Sequence, residues 1–231
     1  MDDITRRGPM LDSGPERKVR VWDLPTRLFH WSVVVLVAFS YASARIGKID
    51  WHFLSGYTIL ALVLFRIAWG FVGSDTARFA QFVRAPGAAI RHLAHFGRGR
   101  AAPHAGHNPA GALMVLALIG LLLAQAVSGL FSSDGLIVEG PLARFVDGAT
   151  SEAATAWHAF LFDLILVAVG LHVAAVLAYA LIARRNLVRP MILGWTHLPA
   201  SVPAPRMASP LLAGALLAAC GAVVWALASL G

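Results

Sequence analysis

Four histidines set in apolar sequence are the residues of this chain best placed to do chemistry. His158 and His172 share one apolar run, 156–183, and stand fourteen positions apart. At ~1.5 Å of rise per residue, an α-helix puts ~21 Å between them. At ~100° per residue, the second ring returns to within ~40° of the first. One ring then falls in each half of a hydrocarbon core ~30 Å thick. His30 and His52 lie in two other apolar runs. Neutral imidazole is a strong axial ligand to haem iron. Four imidazoles at two depths of a helix bundle therefore point to two stacked, bis-histidine b-type haems and to electron transfer across a membrane.

The depths pair the histidines. His30 precedes Arg45, the end of the first run, by fifteen residues, which places it ~22 Å from that surface. His172 lies ~21 Å in from His158. His52 and His158 both open runs that start at the same surface. The expected pairs are His30 with His172 on the cytoplasmic side and His52 with His158 on the periplasmic side. A lone histidine at a membrane interface is ordinarily just a polar interfacial residue. His172 differs, because it lies deep in an apolar run, where ionisable groups are functional by default. The matched depths of two pairs carry the reading.

The elements that must position these residues are five apolar runs, 28–44, 52–72, 109–131, 156–183 and 208–230. Each is long enough to span a bilayer, and backbone in lipid must bond within its own segment, so all five are helices. The first starts earlier than its apolar run, with Asp23 as N-cap and Pro25 in the first turn. The expected fold is an all-α integral membrane protein, a four-helix transmembrane bundle holding two b haems plus a fifth C-terminal transmembrane helix. Its plan is a cytoplasmic tail over 1–20, a four-helix di-haem domain over 21–190, a Pro-rich linker over 191–207 and the added helix over 208–231. An amphipathic stretch over 79–95 is expected on the inner surface.

Composition agrees. Of 231 residues, 58% are hydrophobic and 13% charged, where soluble domains carry roughly 25% charged residues. The mean hydropathy is +0.69. The net charge of +7 sits in loops between apolar runs, which speaks for orientation in a membrane and against nucleic acid. Arginines and lysines crowd the N-terminal tail and the loops 73–108 and 184–207, whereas loop 132–155 holds Arg144 against four acids. The expected location is the bacterial inner membrane, with the N-terminus cytoplasmic and the C-terminus periplasmic. Residues 1–20 lack the apolar core of a signal peptide, and Arg6-Arg7 has none at the right distance for a twin-arginine signal. Cys220 is the only cysteine. It excludes an internal disulfide and, with no Cys-x-x-Cys-His, a covalent c-type haem.

Other polar residues flank the histidines. Arg66 lies fourteen after His52, on the same helix face at the depth of the inner pair. A haem propionate or a bound semiquinone would satisfy it, unless it snorkels to the inner surface. Arg27 lies one turn before His30 and could reach an inner propionate. Gln125 shares a face with Gly111 and reads as a quinone or propionate contact, or as a plain interhelical hydrogen bond. A quinone site is expected near the inner haem, close to Arg66, Gln125 and Asn108. Asp163 is the one acid inside an apolar span, either a proton relay to quinone or the partner of a polar group on another helix. Gly56 and Gly170 leave room for a macrocycle. His107 is the substitute ligand, while His92, His95, His104 and His197 read as solvated.

Taken together, these residues resemble the bacterial di-haem cytochrome b family, which includes cytochrome b-561 and the b-type cytochrome subunits of nickel–iron hydrogenases. The resemblance covers about residues 19–190. It rests on Val21-Trp22-Asp23-Leu24-Pro25-Thr26-Arg27-Leu28-Phe29-His30-Trp31, on His52 with Gly56, on Phe65-Arg66-Ile67-Ala68-Trp69-Gly70, on His107-Asn108-Pro109-Ala110-Gly111, and on Trp157-His158 with Gly170-Leu171-His172. It implies that His30, His52, His158 and His172 are the axial ligands of two haem b groups. It also implies a quinone as substrate and a redox partner that is a hydrogenase, a dehydrogenase or a cytochrome c. The fifth helix departs from the four-helix core of the family. The first functional reading is an electron-transfer subunit of an oxidoreductase with no catalytic residues of its own. The second is a stand-alone quinone-linked oxidoreductase acting on a small periplasmic species such as superoxide. The third, from another class, is a haem-free transporter or scaffold.

Overall fold

The computed structural model describes residues 15–83, 86–94 and 105–231. His95 and His104, with Arg6, Arg7, Arg84, Arg98 and Arg100, lie outside them. Helix α1, Leu24–Arg45, starts as its sequence predicts: the Asp23 carboxylate accepts the Thr26 N–H at 2.7 Å, and Pro25 occupies the first turn. A short turn at Gly47 (φ 71) leads to α2, Ile49–Val72. The stretch 79–95 holds two helices among its described residues. It breaks at extended Val83 into α3, Phe79–Phe82, and α4, Pro86–Ala94. Helix α5, Pro109–Phe131, is capped by Asn108, whose side chain accepts the Gly111 N–H.

Helix α6 runs from Gly148 to Leu181, starting eight residues before the apolar run that announces it. Asp147 caps it by accepting the Thr150 N–H at 2.7 Å. The polar first turns are held to the end of α5, because the Ser151 hydroxyl donates to the Phe131 carbonyl at 2.8 Å. Hydropathy marks only the lipid-bathed part of such a helix. After α6 come a short helix α7, Val188–Leu193, and α8, Pro210–Ala228. Helices α1, α2, α5, α6 and α8 are each long and apolar enough to cross a membrane.

Helix α2 is the most buried of the five. It packs along α1, α5 and α8, while α6 is carried mainly by α5. Val33, Ile59, Val63, Ile119, Leu122 and Ile165 form the core shared by α1, α2, α5 and α6. The fifth helix lies on the other side of α2, with Ala213 against Phe65 and Trp69, and Val224 against Leu60. Its approach is pinned by the Ser74 hydroxyl, which accepts the Ala208 N–H, and by Asp75, which accepts the Arg206 N–H.

Two expectations are corrected here. Residues 16–20 are not an irregular tail, and 191–207 is not a plain linker. Strand β1, Glu16–Arg20, pairs antiparallel with β2, Trp195–Pro199, with Glu16 opposite Pro199 and Arg20 opposite Trp195. Val19 and Leu198 point inward and join Val21 and Trp22 in a small apolar cluster. The pairing joins segments far apart in the chain, so neither shows a local signal. The ribbon, the 74–78 turn and α7 share one end of the bundle. The Thr76 hydroxyl donates to the Val21 carbonyl there. Arg17, Lys18, Arg20, Arg78, Arg189 and Arg206 crowd this basic end. The C-terminus meets Pro141 at the other end, beside the acid-rich loop before α6.

Candidate haem sites between α1, α2 and α6

The four histidines come together as two pairs, in the combinations their depths predict. The rings of His30 on α1 and His172 on α6 have centroids 6.4 Å apart at 53°. The rings of His52 on α2 and His158 on α6 have centroids 6.0 Å apart at 87°. An imidazole nitrogen binds a metal at ~2 Å, so two rings sharing one metal stand with centroids ~6 Å apart. Both pairs leave that gap. The apolar core of Val33, Val63, Leu122 and Ile165 lies in the same four helices. Among the described residues, no group of three or more His, Cys, Asp or Glu gathers as a metal cluster.

Supporting residues hold the Nδ1 side of His52 and of His158. His52 Nδ1 lies 3.0 Å from both the Ser40 hydroxyl and the Ser40 carbonyl. As donor to that carbonyl it leaves the Nε2 lone pair free, the arrangement that orients a metal-binding histidine. His158 Nδ1 lies 2.9 Å from the Gln125 carbonyl and 3.3 Å from the Ser128 hydroxyl. The Gln125 side-chain nitrogen stands 3.1 Å from His158 Nε2, and its Oε1 is buried without a partner. His30 carries a buried Nδ1 without a partner, with Trp31 edge-on at 4.9 Å.

Space for a flat group adjoins the second pair. A cleft there is lined by His52, Phe53, Gly56, Tyr57, Gly129 and His158. A Cβ added at Gly56 or at Gly170 would meet nothing within 4 Å. Gly129 is different: a Cβ there would lie 2.9 Å from His158 Cε1, so the missing side chain lets that imidazole settle against α5. Two imidazoles about one metal's span apart, with a cleft and glycines beside them, fit a bis-histidine haem. Sequence reasoning missed Ser40, Ser128 and Gly129. Their signal was faint, since small residues are common in membrane helices.

The flanking residues are placed as follows. Gln125 belongs to the His158 level, seventeen residues along α5 from Asn108, or ~25 Å. The expectation that Arg66, Gln125 and Asn108 line one quinone site is therefore corrected. Asn108 instead donates to the Tyr179 hydroxyl at 2.9 Å. Arg27 uses Nη1 to donate to the Ile192 carbonyl at the end of α7, and its buried Nε has no partner. Arg66 is 2% exposed, which overturns snorkelling. Asp163 is exposed on α6 and has no hydrogen bond to another described residue, so the expected interhelical pair is not formed. His107 packs between the rings of Trp22 and Phe82, at 4.6 and 4.8 Å.

An apolar bundle that presents histidines across its helices at two levels is the architecture of a membrane b-type cytochrome. The chain belongs to the prokaryotic cytochrome b561 family, whose model matches residues 21–194. It is therefore a multi-pass membrane protein that binds b-type haem and transfers electrons. The matched range takes in all four histidines and ends before β2 and α8. No curated protein and no solved structure matches the chain.

Proposed function

We propose that this cytochrome holds two b haems, one between His30 and His172 and one between His52 and His158, and passes electrons between a quinone pool and a redox partner. The observation that carries this is the pair of ring separations, 6.4 and 6.0 Å, each made by one of two α6 histidines that stand fourteen residues apart. Bound haem supplies one-electron chemistry, and the protein supplies ligation, spacing and exclusion of water. The Ser40 and Gln125 carbonyls hold His52 and His158 at Nδ1, and the Gln125 amide, 3.1 Å from His158 Nε2, turns aside when that nitrogen binds iron. The basic end is the cytoplasmic one by the positive-inside rule, with the C-terminus periplasmic. The partner is a hydrogenase, a dehydrogenase or a cytochrome c, and any substrate-level chemistry resides there.

The test is haem stoichiometry of the purified chain in detergent, by pyridine extraction and the reduced-minus-oxidised spectrum. Two b haems per chain, reducible by a quinol, are expected. One haem would overturn the two-site reading. Two haems that no quinol reduces and no quinone oxidises would remove the quinone from it.

A further inference from the structure

Arg66 is a buried charge in the bundle, and its guanidinium makes no hydrogen bond to another described residue. It sits in α2 at 2% exposure, with Nη1 buried and without a partner. No hydrogen bond or ion pair joins its guanidinium to another described residue, whereas Arg78 at the basic end is paired with Asp75. Phe79 covers it, with the guanidinium carbon 5.3 Å from the ring centroid. That cover is close-packed, because Phe79 rests on Gly70, where an added Cβ would fall 2.2 Å from the ring. Asp23 attracts it from a distance, but no hydrogen bond or ion pair joins the two, and the Asp23 oxygens accept from the Thr26 N–H at 2.7 Å and from Trp69 Nε1 at 2.9 Å.

A guanidinium removed from water is tolerated only when paired with a charge and hydrogen-bonded. Its planar fork matches a carboxylate. Arg66 stands ~21 Å along α2 from His52, the same interval that separates His158 from His172 along α6. It is thus level with the His30–His172 pair. From this we infer that Arg66 binds a propionate carboxylate of the haem at that pair, an inference that rests on the two-haem reading. A neutral quinone carbonyl would leave the buried charge unpaired in the resting state. The permanent anion fits better.

The experiment compares full-length wild type with Arg66→Gln and Arg66→Lys by spectroscopic redox titration, with haem counted per chain. Loss of a nearby cation disfavours the added electron, so Arg66→Gln lowers the potential of one haem and leaves the other in place. The shifted haem is the one missing from His172→Ala. Arg66→Lys restores most of the shift, or restores haem at that pair if Arg66→Gln loses it. Unchanged potentials in Arg66→Gln would overturn the inference, as would a shift that lysine does not reverse. Slower quinol oxidation with both potentials unchanged would also overturn it, by moving Arg66 to a quinone site. Fewer than two haems in wild type would instead count against the two-haem reading.

Discussion

The imidazoles of His52 and His158 face each other at 6.0 Å, although α2 and α6 share little direct packing. Each ring is positioned by a helix that does not bear its partner. Ser40 of α1 holds His52, and Gln125 and Ser128 of α5 hold His158. The cleft beside the pair is lined by Phe53, Gly56 and Tyr57 of α2 and by Ala126, Gly129 and Leu130 of α5, with His158 the one residue of α6 among its lining.

Replacing either member of a pair should remove one haem and leave the other. His30→Ala and His172→Ala are expected to give the same one-haem spectrum. His52→Ala and His158→Ala should give the complementary one. The double variant His30→Ala/His172→Ala should look like either single, because ligands to one iron act as a unit. Pyridine haemochrome per chain reads the outcome, and loss of both haems in a single variant would contradict the pairing.

Gly129→Val should act like a histidine substitution without touching a histidine. Its Cβ would fall 2.9 Å from His158 Cε1 and 3.2 Å from Nδ1. The imidazole must then leave its place on the Gln125 carbonyl. We expect loss of the haem at His52–His158, with the haem at His30–His172 retained. Gly56→Ala, where a Cβ meets nothing within 4 Å, should keep both.

Asp23 ties two helices together. Its carboxylate caps α1 and receives Trp69 of α2, and the residue is 5% exposed. Losing an N-cap costs ~1 kcal/mol, and a hydrogen bond to a charged group adds ~1.5–3 kcal/mol. Asp23→Ala should therefore destabilise by about 2.5–4 kcal/mol, seen as a lower Tm in detergent. Asp23→Asn, which still caps, should lose clearly less.

The loop before α6 should respond to acid. The N–H groups of Leu136, Val138 and Ile137 bond the Asp134 carboxylate and hold it below the usual aspartate range. A depressed value favours the folded loop above the ordinary aspartate pKa of about 3.9, and that contribution fades as pH falls through the lower, folded value. Amide hydrogen exchange at Leu136–Val138 should be protected at neutral pH and lose protection, after correction for intrinsic rates, as the carboxylate protonates. Asp134→Asn should show reduced protection with no acid step.

Much of this protein was legible along the chain. Apolar length marked all five spans, and Asp23 and Asn108 marked two starts, because both signals are local. The fourteen-residue interval in α6 put His158 and His172 on one face by helical period alone, and depth alone paired them with His52 and His30. Other features depended on docking. The strand at 16–20 exists only because Trp195–Pro199 arrives beside it. Gln125 belongs to the His158 level because α5 and α6 pack in one particular register. Arg66 is buried where Phe79 folds back onto Gly70 and over its guanidinium. Period and hydropathy are properties of one helix and can be read from its residues. Which side chains meet, and which charge is left without a partner, are set by several helices at once, and only the tertiary structure decided them.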